Sequence, residues 1–159
     1  MDSTVISIDR SYPFNPEEYL CKGVKIDSED QRSLALTEID LSNVQFVSML
    51  KDGELSINGE EKLSRLKASG NILLDAKIFE FLLEHKIRIP PHLEEKVQNQ
   101  TYYISFDGTG LSYPPYGERC VLCLVFSQGE GPGYYAWFDD DWDARCLSAV
   151  LVSPESREF

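Results

Sequence analysis

Arg119-Cys120-Val121-Leu122-Cys123-Leu124-Val125-Phe126 is the stretch that sets the fold class. After Arg119 every side chain is apolar and two are β-branched, a pattern that predicts a strand buried on both faces. Such a strand belongs inside a sheet with helices packed on at least one side, so the expected architecture is α+β. Strand side chains alternate between faces, which sends Cys120 and Cys123 to opposite sides despite their Cys-x-x-Cys spacing. A zinc site needs that spacing in a turn together with a second ligand pair, and the remaining Cys21 and Cys146 are isolated in sequence. The expectation is four reduced, mostly packed thiols.

Three further C-terminal stretches predict strands. Residues 101–106 alternate Tyr102, Ile104 and Phe106 with Tyr103 and Ser105, and 133–138 and 147–152 are also apolar and extended. Turn chemistry separates them at Asp107-Gly108-Thr109-Gly110 and at 127–132, and Leu111 to Gly117 contains Pro114-Pro115, too much proline for a central strand. Together they predict an antiparallel meander of about four strands.

The central third predicts helices. Asn58 and Glu61 form a capping pair; Leu63 and Leu66 share a face, Glu61 lies four before Arg65, and Gly70-Asn71 ends the helix. Asp75 caps a second helix over 76–86, with an apolar stripe of Ile78, Phe79, Leu82 and Leu83. After Pro90-Pro91 a short helix is expected over 92–97. In the N-terminal third, Pro16-Glu17-Glu18-Tyr19-Leu20 can open a short helix, Ser28 to Arg32 predicts an exposed loop, and Asn43 to Leu50 turns at Asp52-Gly53 into Glu54 to Ile57 as a hairpin. At 159 residues the chain is expected to form one domain over 1–159, burying roughly 70% of its unfolded surface, with 1–15 and 153–159 loosely ordered.

The formal net charge is −12, and 126–144 holds five acids and no base. Nucleic-acid binding depends on clustered Lys and Arg, so no nucleic-acid partner is expected. No stretch is long and apolar enough to span a membrane and no basic start precedes an apolar run, which predicts a cytoplasmic protein with no membrane partner. The charge suits a basic protein as partner.

Catalytic templates find little footing. There is no G-x-x-x-x-G-K, G-x-S-x-G or H-E-x-x-H, and Gly129-Glu130-Gly131-Pro132-Gly133 precedes a strand, where a phosphate loop would precede a helix. Asp139, Asp141 and Asp143 start like a calcium loop, but Ala144 stands where glycine is needed and Val150 where a bidentate glutamate is needed. No cofactor or metal is therefore expected, although those three aspartates are the candidates for a cation. His85 falls in the last turn of the second helix, where it serves as a cap, and His92 sits beside prolines.

The richest chemistry lies in Tyr134-Tyr135-Ala136-Trp137-Phe138-Asp139-Asp140-Asp141-Trp142-Asp143. Aromatics beside carboxylates supply rigid contact area and acceptors for arginine. The expected binding set is Tyr116, Tyr134, Trp137, Asp139, Asp140, Asp141, Trp142 and Asp143, with Trp137 in the sheet and Trp142 in an exposed acidic loop. The chain thus reads as a non-enzymatic acidic binding protein, an inhibitor or immunity-type partner of a basic protein. The alternatives are a metal-assisted carboxylate enzyme using Asp139 to Asp143, and a structural or oligomer-forming domain.

Overall fold

The apolar run at 120–126 lies within the longest strand of the structure, a computed structural model that describes residues 5–86, 100–127, 130–138 and 141–152, with 130–132 described by backbone alone. The strands are β1 (Val5–Ser7), β2 (Lys25–Glu29), β3 (Glu38–Asp40), β4 (Val44–Val47), β5 (Ser56–Ile57), β6 (Ile72–Leu73), β7 (Tyr102–Ser105), β8 (Thr109–Tyr113), β9 (Glu118–Ser127), β10 (Glu130–Phe138), β11 (Trp142–Asp143) and β12 (Cys146–Leu151). The α-helices are α1 (Gln31–Leu34), α2 (Gly59–Ala68) and α3 (Ala76–Glu84), and a 3-10 turn at Pro16–Glu18 is capped by Asn15. The helix expected at 92–97, with His92, lies outside the described residues.

The fold is mixed α+β around an eight-stranded sheet. β9 is its centre. Val125 to Cys123 pair with β7 on one side and with β10 on the other, and Cys120 pairs with both Leu111 of β8 and Phe138 of β10. β7 and β8 therefore lie end to end along one edge of β9. Between them the chain turns at Gly108, where a Cβ would sit 2.1 Å from the Leu73 carbonyl oxygen. Only glycine permits that approach.

Alternation along the strands divides the interior. One face carries Ile104, Leu111, Leu122, Leu124 and Ala149, packed with Ile78, Phe79 and Leu82 of α3. The other carries Cys123 and Cys146 beneath Trp142 and Ile57, and Val150 beneath Leu66 of α2. Helices thus cover both faces, and Cys120 and Cys123 fall in different clusters. Burying each large aliphatic or aromatic side chain contributes roughly 1.5–3 kcal/mol.

Several expectations are corrected. β4 and β5 do not form a hairpin: the turn at Gly53 (φ 86°) exists, but β4 pairs with β12 and β5 with β11. The four-stranded meander is also too small and wrongly ordered, because β12 runs parallel to β7, with β7 and β9 between it and β10. The loop expected at 28–32 contains the end of β2 and the start of α1; its polar side chains serve backbone groups. Asp30 accepts from Arg32 N (3.0 Å) and Leu73 N (2.9 Å), and Arg32 donates to the carbonyls of Gly70 (2.9 Å) and Asn71 (2.8 Å). Within residues 5–15, β1 pairs with β3, and Ile6, Ile8 and Phe14 are buried.

The helix caps follow the sequence. Asn58 accepts from Glu61 N at 2.8 Å and Asp75 from Lys77 N at 3.1 Å, while His85 bonds the Phe81 carbonyl at 2.9 Å. Asp75 does more than cap. Only 1% exposed, it receives both terminal nitrogens of Arg10 (2.8 and 3.1 Å) and the Ser33 hydroxyl, and Arg10 also donates to the Leu36 and Ser33 carbonyls at 2.8 Å each. This joins the N-terminus, α1 and α3. Arg10→Leu strands the buried carboxylate and is expected to cost about 3–5 kcal/mol in urea unfolding; a loss under about 1 kcal/mol, typical of a surface pair, would contradict this role.

Arg65 ties α2 to the preceding turn by donating to Glu54 (2.6 and 2.9 Å), Glu61 (2.9 Å) and the Met49 carbonyl (2.8 Å). Its hydrogen bonds, with one from Lys51 N, hold the Glu54 carboxyl down at about 2 against an ordinary 4.5. A folded-state pKa below the unfolded one stabilises fully above pH 4.5 and ceases to do so as pH falls through about 2. Glu54→Gln should accordingly flatten the acid limb of the stability profile in that window, read by thermal melts at successive pH values.

Candidate functional site

Lys62 occupies an inward position of α2, one turn before Leu66, and only 2% of it is exposed. A buried lysine needs a charge partner. Its ammonium donates to Asp107 Oδ2 at 2.9 Å and Ser105 Oγ at 2.7 Å, and lies 3.4 Å from the centre of the Trp142 ring. Ser105 donates in turn to the other oxygen of Asp107 and stands 3.2 Å from Ser148 Oγ. β7 and β12 place the two serines opposite each other, and the turn after β7 supplies Asp107.

Above this network a cavity of about 490 Å³ opens between the start of α2 and the sheet. Its apolar walls are Leu63, Val121, Trp137, Phe138 and Trp142. Trp137 and Trp142 pack with ring centres 5.2 Å apart, and Tyr103 joins Trp137 at 4.8 Å. Glu60 and Glu118 also line the cavity and have no ion-pair or hydrogen-bond partner among the described residues. The cationic lining residues are already engaged, Lys62 with Asp107 and Arg119 with Asp27 at 3.2 Å. The indole N–H groups of Trp137 and Trp142 are buried with no acceptor, each an unmet cost of roughly 1–3 kcal/mol.

The residues singled out in sequence do not form one patch. Trp137 and Trp142 wall the cavity, whereas Tyr134, on the opposite face of β10, packs against Tyr19 and Phe79 and donates to the Tyr19 carbonyl at 2.9 Å. Tyr116 is 87% exposed in the turn after β8 and does not line the cavity. Trp142 is not in an exposed loop: it is 4% exposed, in β11, paired with Ile57. Asp141 is exposed, and Asp143 accepts from Arg145 at 2.9 Å, which lowers its pKa. Asp139 and Asp140 lie outside the described residues, and among those described no three His, Cys, Asp or Glu side chains converge on a metal position.

Ser105, Lys62 and Asp107 have the composition of a nucleophile and its base, but not the geometry. Ser105 is wholly buried, and the lysine protons are committed to Ser105, Asp107 and the indole face. A general base must hold a free lone pair toward a reachable nucleophile. The buried thiols offer no alternative, because burial pushes Cys120 and Cys146 up to about 11 and Cys123 well above its ordinary value.

Lys62, Ser105, Asp107, Glu60 and Glu118 were missed in sequence. The one available signal was Lys62 itself, a charge one turn from Leu66 on the inward stripe of α2.

No protein family, curated protein or solved structure matches this chain.

Lys62→Met leaves Asp107 buried without its counter-charge and is expected to cost about 3–5 kcal/mol. Lys62→Met with Asp107→Leu should recover most of that loss, since replacing both partners removes the stranded charge. Urea unfolding of the two variants measures the difference; equal losses would show that the pair's charge balance is not what matters.

Proposed function

We propose that this chain is a binding protein that captures a basic partner protein by seating one of its arginine or lysine side chains in the cavity between α2 and the sheet. The supporting observation is the charge imbalance of an otherwise apolar cavity: among the described residues Glu60 and Glu118 are unpaired, while Lys62 and Arg119 are neutralised. An anionic ligand would find no free cation there. A long cationic side chain finds apolar wall for its methylenes in Leu63, Val121 and Trp137, an aromatic face for its charge, and two carboxylates at its head.

The formal charge of −12 supports the same reading at longer range, since it accelerates encounter with a basic surface and disfavours acidic competitors. Covering a basic surface blocks what that surface does, which is the behaviour of an inhibitor or immunity-type protein. One exposed ion pair contributes only about 0.2–1 kcal/mol, so tight binding requires contact beyond the cavity.

Titration with arginine amide, followed through the indole N–H resonances of Trp137 and Trp142, tests the seat directly. The double substitution Glu60→Gln, Glu118→Gln removes two exposed charge contacts and should weaken binding roughly two- to thirtyfold, while 0.5 M salt should weaken the parent and barely affect the variant. Equal affinity of parent and variant would refute the reading.

A further inference from the structure

The edges of the large sheet are unequal. β2, at one end, is five residues long, carries exposed Lys25, Asp27 and Glu29 at alternating positions and is bulged between Ile26 and Ser28. β4, at the other, has four residues. Short, charged and bulged strands are how proteins keep an edge from pairing with another chain. β10 is different. It is nine residues long and, after a bulge between Glu130 and Gly133, pairs with β9 through Gly133 to Phe138 without interruption; among the described residues it pairs with no other strand. From Gly131 to Phe138 it has no charged residue, and Tyr134 and Tyr135 are 44% and 55% exposed.

Resting on the basic-partner reading above, we propose that β10 is the docking edge at which the partner adds an extended segment as a further strand. Main-chain hydrogen bonds to β10 supply the register, and alternate apolar side chains of the added segment lie beside Tyr135 and Trp137, which share a face by strand alternation. Trp137 also walls the cavity, so the same segment brings a Lys or Arg within reach of Glu60 and Glu118. Charge selects a basic strand over a second copy of this chain. Each copy carries a formal charge of −12, so two copies repel one another where a basic strand is attracted.

The test uses a blocked nine-residue peptide of alternating valine and lysine, and the same peptide with proline in place of every valine. Both carry the same charge, but only the first can add a strand. The alternating peptide is expected to bind at least tenfold more tightly, to slow amide hydrogen exchange within 133–138, and to lose at least fivefold in affinity to Tyr135→Lys. Glu60→Gln with Glu118→Gln should weaken it while leaving the exchange protection of β10 in place. Equal binding of the two peptides, or no slowing of exchange at 133–138, overturns strand addition while leaving the cavity reading intact; binding of neither peptide overturns it as well. A dimer seen by light scattering and dissociated by Tyr135→Lys also overturns it, by assigning the edge to a second copy.

Discussion

The structure rests on one constraint: β9 is apolar on both faces and must be kept from water on both. Leu122 and Leu124 point to one side and Cys123 to the other, each 2% exposed or less. A sheet with a single helical layer would leave one of those faces wet. α3 satisfies the first face with a fully apolar stripe. α2 satisfies the second less simply, because its inward surface includes Lys62, and the buried charge brings its own requirements with it.

Those requirements produce the site. Asp107 balances Lys62, Ser105 and Ser148 complete the hydrogen bonding, and Trp142 covers the ammonium with its ring. Trp142 is held over α2 by pairing of β11 with β5, so the connection from β10 to β12 becomes one wall of the cavity. A second buried network, Arg10 with Asp75 and Ser33, plays a different part, locking the N-terminal segment to α3. Beside the network under the cavity, the indole N–H groups of Trp137 and Trp142 have no acceptor, and the exposed Glu60 and Glu118 no cation, among the described residues.

The four C-terminal strands and the two central helices were legible because each carries its own local signal. Alternation or continuous apolarity marked residues 101–106, 119–126, 133–138 and 147–152, although β10 already begins at Glu130 within the stretch expected to turn, and Asn58 and Asp75 act as the caps their side chains predicted. Strand partnership was not legible. Nothing in 44–57 says that its two strands leave one another for β12 and β11, because pairing is decided by which edge offers more burial. Polar stretches misled for a related reason: Asp30 and Arg32 look like solvated loop residues until the backbone groups they satisfy are in view.

For the site, sequence alone determined an acidic, aromatic-rich segment and the opposed faces of Cys120 and Cys123, since charge and strand alternation are local properties. Only the tertiary structure decided which aromatics act together. Alternation along β10 turned Tyr134 inward to α3 and Trp137 to the cavity, and the crossover after it buried Trp142 over Lys62. It also supplied Asp107, Glu118 and Glu60 from three separate segments, a convergence that one-dimensional spacing cannot encode because each residue is unremarkable among its own neighbours in the chain.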